Sequence, residues 1–175
     1  MIKRMFFFIL LFFTSPLAFA TEIYDDTTLN TGDFTTVDVF NAAVLNINGA
    51  SIDTLLLHNS STTNLNVGFL AHTQLMDTSI LNLYGGHPGV VASSTIDGRI
   101  NVYGYDFIYT PAGGGSESGW LNGRWGDSSV FSIYFRNMPD PFPGNQLILH
   151  VIPEPVSLYL FLAGGTLFLL RKHRL

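Results

Sequence analysis

Leu45-Asn46-Ile47-Asn48-Gly49 is the stretch that decides the fold, because it returns three times further along the chain. The later copies are Thr63-Asn64-Leu65-Asn66-Val67, Leu81-Asn82-Leu83-Tyr84-Gly85 and Ile100-Asn101-Val102-Tyr103-Gly104. The second residue of every copy is asparagine, and successive asparagines are separated by 18, 18 and 19 residues. Apolar and polar residues alternate around it with a period of two, which predicts a short strand, and the glycine predicts a turn.

The same spacing aligns the rest of each unit into columns of similar residues, and it places Leu29 in the column of Ile47. The further apolar columns are Phe34, Ile52, Leu70 and Pro88; Val37, Leu55, Thr73 and Val91; and Val39, Leu57 and Leu75. The polar columns are Asn41, Asn59 and Asp77, and Ser61 and Ser79. A unit of this length cannot bury its own apolar side, whereas stacked units bury these columns as one continuous core.

The predicted fold is therefore all-β, a short β-solenoid of about four 18-residue coils. The coils span residues 28–45, 46–63, 64–81 and 82–100, with a partial fifth coil from residue 101. At about 4.8 Å between strands the stack is about 20 Å long. Four leucines of the apolar columns are expected to point inward: Leu55, Leu57, Leu65 and Leu83. The pattern leaves the handedness of the solenoid open.

The repeated asparagines are expected to point outward and to form a ladder of stacked amides, as in cross-β arrays. We favour this structural interpretation over a binding one. The next outward column contains Tyr84 and Tyr103, which would lie one strand apart beside Asn82 and Asn101. Aromatic rings and amides suit a sugar ring and its hydroxyls, so these four residues are candidate glycan contacts. The alternative is a simple cross-strand aromatic pair.

The period ends near Asp106, and a glycine- and serine-rich stretch at 111–119 predicts a flexible loop. Two strands, at 120–125 and 130–135, are predicted to form a hairpin around Gly126-Asp127-Ser128, and a last strand is predicted at 146–152. An open solenoid end exposes an unpaired strand edge. We therefore expect the hairpin, which carries both tryptophans, to cap the solenoid.

The first 20 residues have the pattern of an export signal. Lys3 and Arg4 precede an apolar run from Met5 to Phe13, and Ala18-Phe19-Ala20 supplies the small residues that a signal peptidase recognises. The predicted divisions are a signal peptide at 1–20, solenoid repeats at 21–110, a loop and β cap at 111–152, and a sorting segment at 153–175.

The sorting segment combines Pro153-Glu154-Pro155, an uncharged stretch at 156–170 and a basic cluster containing Arg171, Lys172 and Arg174. As a helix, the 15 residues of the uncharged stretch would be about 22 Å long, shorter than the ~30 Å hydrocarbon core of a bilayer. Such a span suits a temporary stop in the membrane, with the basic end in the cytoplasm. The prolines favour an extended backbone, which a protease can bind.

These three parts, in this order, closely resemble the PEP-CTERM sorting signal. The resemblance implies a substrate of exosortase, which would cut near the motif after transient membrane insertion, in a bacterium that makes exopolysaccharide. The repeats followed by a hairpin are also similar to the body of some members of that family. The resemblance of the tail covers residues 153–175 only, and it implies a destination, not an activity. The alternative is an ordinary single-pass membrane anchor.

The charge of the segment between the two signals restricts its partners. Residues 21–152 contain twelve acidic residues, three arginines and no lysine, a formal charge of −9. Nucleic acids and anionic lipids both require basic patches, so neither is expected as a partner. The chain contains no cysteine, which excludes disulfides and thiolate chemistry.

No catalytic or metal-binding constellation is predicted, and no cofactor is expected. Asp53, Asp77 and Asp97 come from successive coils, but Asp53 and Asp77 do not share a column, so they form no acidic ladder. Three further acidic residues are expected at a solvated, mobile N-terminus of the mature protein: Asp25, Asp26 and Asp33. The remaining candidates have no partner that the sequence can place: His58, His72, Ser128 and Ser129. The sequence thus predicts a non-enzymatic structural protein of the cell surface or exopolysaccharide matrix. The alternatives are a carbohydrate-binding adhesive module and a small polysaccharide-active enzyme.

Overall fold

The computed structural model describes residues 20–95, 97–112, 118–138 and 146–154, and all regular structure in these ranges is β-strand. The strands are β1 (Ala20–Ile23), β2 (Thr27–Leu29), β3 (Asp33–Val39), β4 (Val44–Leu57), β5 (Thr62–Leu75), β6 (Ile80–Leu83), β7 (His87–Ser93), β8 (Arg99–Pro111), β9 (Gly119–Arg124), β10 (Val130–Arg136) and β11 (Leu147–Val151). They stack as a solenoid of about five turns, which confirms the predicted all-β repeat architecture.

Each coil contributes strands to two faces that enclose one core. The asparagine face consists of β2, β6, β11 and the first halves of β4, β5 and β8, all parallel. The second face contains β1, β3, β7 and the second halves of β4 and β5, also parallel. Stacking begins before the first predicted coil at residue 28, because β1 already pairs with β3 from Ala20 onward.

Neighbouring strands pair so that equivalent residues of the repeat lie side by side. Asn46 lies beside Asn64, Asn64 beside Asn82, and Asn82 beside Asn101. The four leucines predicted to point inward, Leu55, Leu57, Leu65 and Leu83, are all completely buried. The core also encloses four hydroxyl groups that have no hydrogen-bond partner among the described residues, those of Ser61, Thr63, Thr73 and Ser79.

The polar column Asn41, Asn59 and Asp77 forms the turn between coils. All three residues have a positive φ, of 59°, 55° and 54° respectively. Asparagine and aspartate adopt this left-handed conformation more readily than most residues. Their side chains also connect successive coils, because Asn41 N–H donates to Asn59 Oδ1 at 3.2 Å and Asn59 N–H donates to Asp77 Oδ2 at 2.9 Å.

The predicted hairpin is present, but it changes the order of strands on the second face. β10 pairs in parallel with β7 and antiparallel with β9, and β9 pairs antiparallel with residues 105–111 of β8. The hairpin therefore lies between β7 and the end of β8. A register irregularity between Tyr105 and Ile108 and the positive φ of Asp106 redirect β8 here. The ends of the predicted 111–119 loop, Pro111 and Gly119, belong to strands.

Aromatic side chains close the core beneath this hairpin. The Trp125 and Phe131 rings stack at 4.0 Å, and Phe107 lies 6.1 Å from Phe131. On the asparagine face, β11 extends the sheet by pairing in parallel with β8. The predicted last strand thus becomes an edge strand of the solenoid.

Several sequence predictions fall outside the described residues. These are the signal peptide up to residue 19, the centre of the loop at 113–117, and the tail from Pro155, with Arg171, Lys172 and Arg174. Within the described ranges, no helix has the length and apolar character needed to cross a membrane.

Candidate functional site

The asparagine face presents a continuous ladder of side-chain amides. Asn64 donates to Asn46, Asn82 to Asn64, and Asn101 to Asn82, each from Nδ2 to Oδ1 at 2.8 Å. This confirms the predicted ladder. Each amide in the ladder hydrogen-bonds to an amide of a neighbouring coil, so the ladder fixes the register in which the coils stack.

His150 adds a further side chain to this ladder. Its Nε2 lies 3.0 Å from Asn101 Oδ1. Since an amide oxygen can only accept, Nε2 is the donor. His150 could not be recognised from the repeat, because it lies outside it and 49 residues from Asn101.

Tyr84, Tyr103 and His150 form a stack of three parallel rings next to the ladder. The Tyr84 and Tyr103 ring centroids are 4.3 Å apart, and the Tyr103 and His150 centroids are also 4.3 Å apart. Both faces of the Tyr103 ring are therefore covered, whereas Tyr84 is 42% exposed. Partial burial, with the hydrogen bond and charge of Tyr103, raises the pKa of the Tyr84 hydroxyl, which is protonated at neutral pH.

The four candidate glycan contacts thus lie together, Asn82 and Asn101 in the ladder and Tyr84 and Tyr103 in the stack. The rings pair with each other, as the aromatic-pair alternative required. A sugar on this face would meet the edges of the rings and the outer side of Tyr84. Glycan binding by this group remains a prediction.

Glycines form the corner where each coil passes from the asparagine face to the second face. Gly49, Gly68 and Gly86 have φ values of 155°, 134° and 75°. A Cβ on Gly49 would collide with the carbonyl of Asn30, and one on Gly68 with that of Ala50. The backbones of successive coils therefore approach closely here. The repeat placed Val67 in the glycine column, but a register irregularity after Ile47 gives that role to Gly68.

Because the corner lacks side chains, it forms the floor of a depression of about 680 Å³, the glycine-corner groove. Its walls carry three exposed apolar side chains, Val67, Phe69 and Tyr84, with exposed fractions of 60%, 44% and 42%. At one end lie Asp127 and Ser129 from the hairpin turn. A second depression of about 640 Å³ continues along the hairpin and shares Phe69 and His87 with the first.

The hairpin turn at the end of the groove is held by several hydrogen bonds. Trp125 Nε1 donates to the carbonyl of Gly86, at 3.0 Å. Tyr105 donates its hydroxyl proton to Ser128 Oγ at 2.9 Å, and Arg124 donates to the carbonyl of Ser128 at 3.0 Å. Asp127 Oδ1 accepts hydrogen bonds from the hydroxyl and from the backbone N–H of Ser129, which lowers the pKa of the Asp127 carboxyl group.

The remaining polar residues singled out in the sequence lie apart. Asp53 and Asp97 are exposed, and Asp77 serves the turn between coils. His58 lies 3.2 Å from Asp38 and stacks on Phe40, whereas His72 is exposed on β5. Within the described ranges, no three histidine or carboxylate side chains form a group that could hold a metal ion.

Comparison with protein-family models, with curated proteins and with solved structures finds no match to this chain.

Proposed function

We propose that this chain is an exported, non-enzymatic structural protein of the cell surface or exopolysaccharide matrix. The observation that carries the proposal is the uninterrupted amide ladder from Asn46 to Asn101. It couples every central coil to the next through side chains as well as backbone, without any disulfide. A rigid, cysteine-free module of this kind suits a passive role outside the cell.

The proposed route begins with signal peptidase, which would remove residues 1–20. The sorting segment would then insert transiently in the membrane, and exosortase would cut near Pro153-Glu154-Pro155. The position of the motif supports this route. Among the described residues, Ile152 N–H makes the last backbone hydrogen bond to the body, to Gly104 O at 2.9 Å, and both Pro153 and Glu154 are exposed. A protease could thus reach the motif without unfolding β11.

The test is intact-mass measurement after expression in a host that contains an exosortase. We expect the exported product to lack both residues 1–20 and the uncharged stretch with its basic cluster. A matched variant, Glu154→Ala, should retain the tail. Recovery of the parent protein with residues 171–175 still attached, at full yield, would contradict the proposal.

A second candidate function, carbohydrate binding, is favoured by the Tyr84–Tyr103–His150 stack beside the amide ladder. A polysaccharide-active enzyme is the remaining alternative. A glycan array that records both binding and newly formed reducing ends tests these alternatives. Only an enzyme produces reducing ends, whereas binding without new reducing ends indicates a carbohydrate-binding module, which is compatible with a structural role in the matrix.

A further inference from the structure

The glycine-corner groove is large enough to hold a ligand. Its volume of about 680 Å³ lies within the ~300–1,000 Å³ typical of binding clefts. It crosses successive coils and therefore runs along the solenoid axis. Phe69 and His87 are register neighbours on β5 and β7, and both line the groove.

The groove combines apolar surface with polar groups at one end. Phe69 and Tyr84 expose aromatic surface, which suits the apolar side of a sugar ring. Both hydrogen bonds that Asp127 accepts from Ser129 go to Oδ1. Asp127 is exposed, and Oδ2, which accepts neither bond from Ser129, is accessible to ligand hydroxyls. This carboxyl group is ionised at neutral pH, and its lowered pKa extends the acidic range over which it stays an acceptor.

The two sides of the groove are fixed relative to each other before any ligand binds. The hydrogen bond from Trp125 Nε1 to the carbonyl of Gly86 joins the hairpin turn to the groove floor. The ring of Trp125 is also buried against Phe131. Such preorganisation lowers the entropic cost of binding.

The chemistry of the groove discriminates between classes of ligand. An acidic polymer would be repelled by Asp127 and by the charge of −9 on residues 21–152. A peptide binds a sheet best by adding a strand to a free edge, but β4, β5 and β7, which border the groove, already pair on both sides. We infer that the glycine-corner groove binds a neutral polysaccharide chain, laid across the coils with its rings on Phe69 and its hydroxyls on Asp127. This inference goes beyond the structural role proposed above and does not depend on it.

The experiment is calorimetric titration of the full-length chain in a detergent without a sugar head group. The probes are neutral hexasaccharides of glucose and of mannose, with a uronic-acid hexasaccharide as the charged comparison. We expect a neutral probe to bind and the acidic probe to give no signal. Phe69→Ala should weaken binding at least about tenfold, equal to about 1.4 kcal/mol.

Asp127→Asn is the second variant, because asparagine keeps the Oδ1 acceptor for Ser129 but places a donor where Oδ2 was. It should fold, with a melting temperature slightly below the parent's because Ser129 loses a charged acceptor, and it should weaken binding several-fold. The control is Tyr24→Ala, which removes an exposed aromatic ring that does not line the groove.

Full binding by folded Phe69→Ala and Asp127→Asn variants would overturn the inference. The inference would also be overturned if no neutral hexasaccharide bound at concentrations up to about 10 mM. It would be overturned as well if Tyr103→Ala abolished binding while the two groove variants did not, because the site would then lie on the asparagine face. Failure of exosortase processing would leave this result unchanged, so the two proposals fail separately.

Discussion

Trp125 donates its indole N–H to the carbonyl of Gly86 at 3.0 Å, across 39 residues of sequence. This bond joins the inserted hairpin to the corner of a coil that the repeat itself builds. The indole ring is almost fully buried and stacks on Phe131, so the same side chain both packs in the core and holds the hairpin to the corner. The end of the core and one wall of the glycine-corner groove therefore depend on a single side chain.

Trp125→Phe tests the hydrogen bond separately from most of the packing. A phenyl ring remains, but the pyrrole part of the buried indole is lost together with the donor to the carbonyl of Gly86, so we expect a loss of at least about 1–2 kcal/mol in the free energy of unfolding. Denaturant titration measures this change. Trp120→Phe is the control, because Trp120 is 45% exposed and should shift the value by no more than about 0.5 kcal/mol. Equal effects of the two substitutions would mean that the bond to Gly86 contributes nothing.

The central coils could be predicted from sequence because their contacts recur at a fixed separation. Asn46 and Asn64 meet because one coil is 18 residues long, and the same spacing buries Leu65. The spacing of the asparagines thus specified both the ladder and the core.

The ends of the stack and the groove could not be predicted in this way. The contacts of β11 with β8 join residues that share no period, as His150 and Asn101 show. The pairing of the hairpin with β7 likewise joins segments far apart in sequence, and the repeat does not specify which sheet edge the hairpin pairs with. The glycines predicted a turn at the corner. In the second copy of the repeat, however, Gly68 takes the place predicted for Val67, because of a register irregularity that the 18-residue spacing does not reveal.

Leu65→Asp tests the buried register. Leu65 is completely buried between Ile47 and Leu83, so an aspartate there would place an unpaired charge in the core. We expect a loss of more than about 4 kcal/mol, measured by thermal or chemical unfolding. Val67→Asp is the matched control, because Val67 is 60% exposed two residues away. If both variants melted close to the parent, the inward assignment of Leu65 would be refuted.

Thr63→Val tests the buried hydroxyl groups and should stabilise the protein. Thr63 is completely buried in the column of Leu45 and Leu81, and its hydroxyl has no partner among the described residues. Replacing that hydroxyl with a methyl group of similar volume removes an unsatisfied polar atom, for a gain of about 1–2 kcal/mol. Thr62→Val, on the outer side of the same strand, should change stability by no more than about 0.5 kcal/mol. Destabilisation by Thr63→Val would instead indicate a buried water bound to the hydroxyl.

The last prediction concerns retention of the protein in a polysaccharide matrix. If the asparagine face contacts a neutral glycan, the double variant Tyr84→Ala/Tyr103→Ala should fold normally and be washed from the matrix more readily than the parent. Each contact would be weak, so retention should depend on many copies acting together, and the loss should be largest at low surface density. The measurement is the fraction of protein eluted from matrix at increasing salt and neutral-sugar concentration, with melting temperature as the check on folding. Because Tyr84 also lines the glycine-corner groove, the double variant alters both surfaces, and Tyr103→Ala alone, which removes no residue lining the groove, is the variant that separates them. Normal folding with unchanged retention in both variants would leave the asparagine face with a structural role only, because its amides and rings would then serve the stack and no ligand.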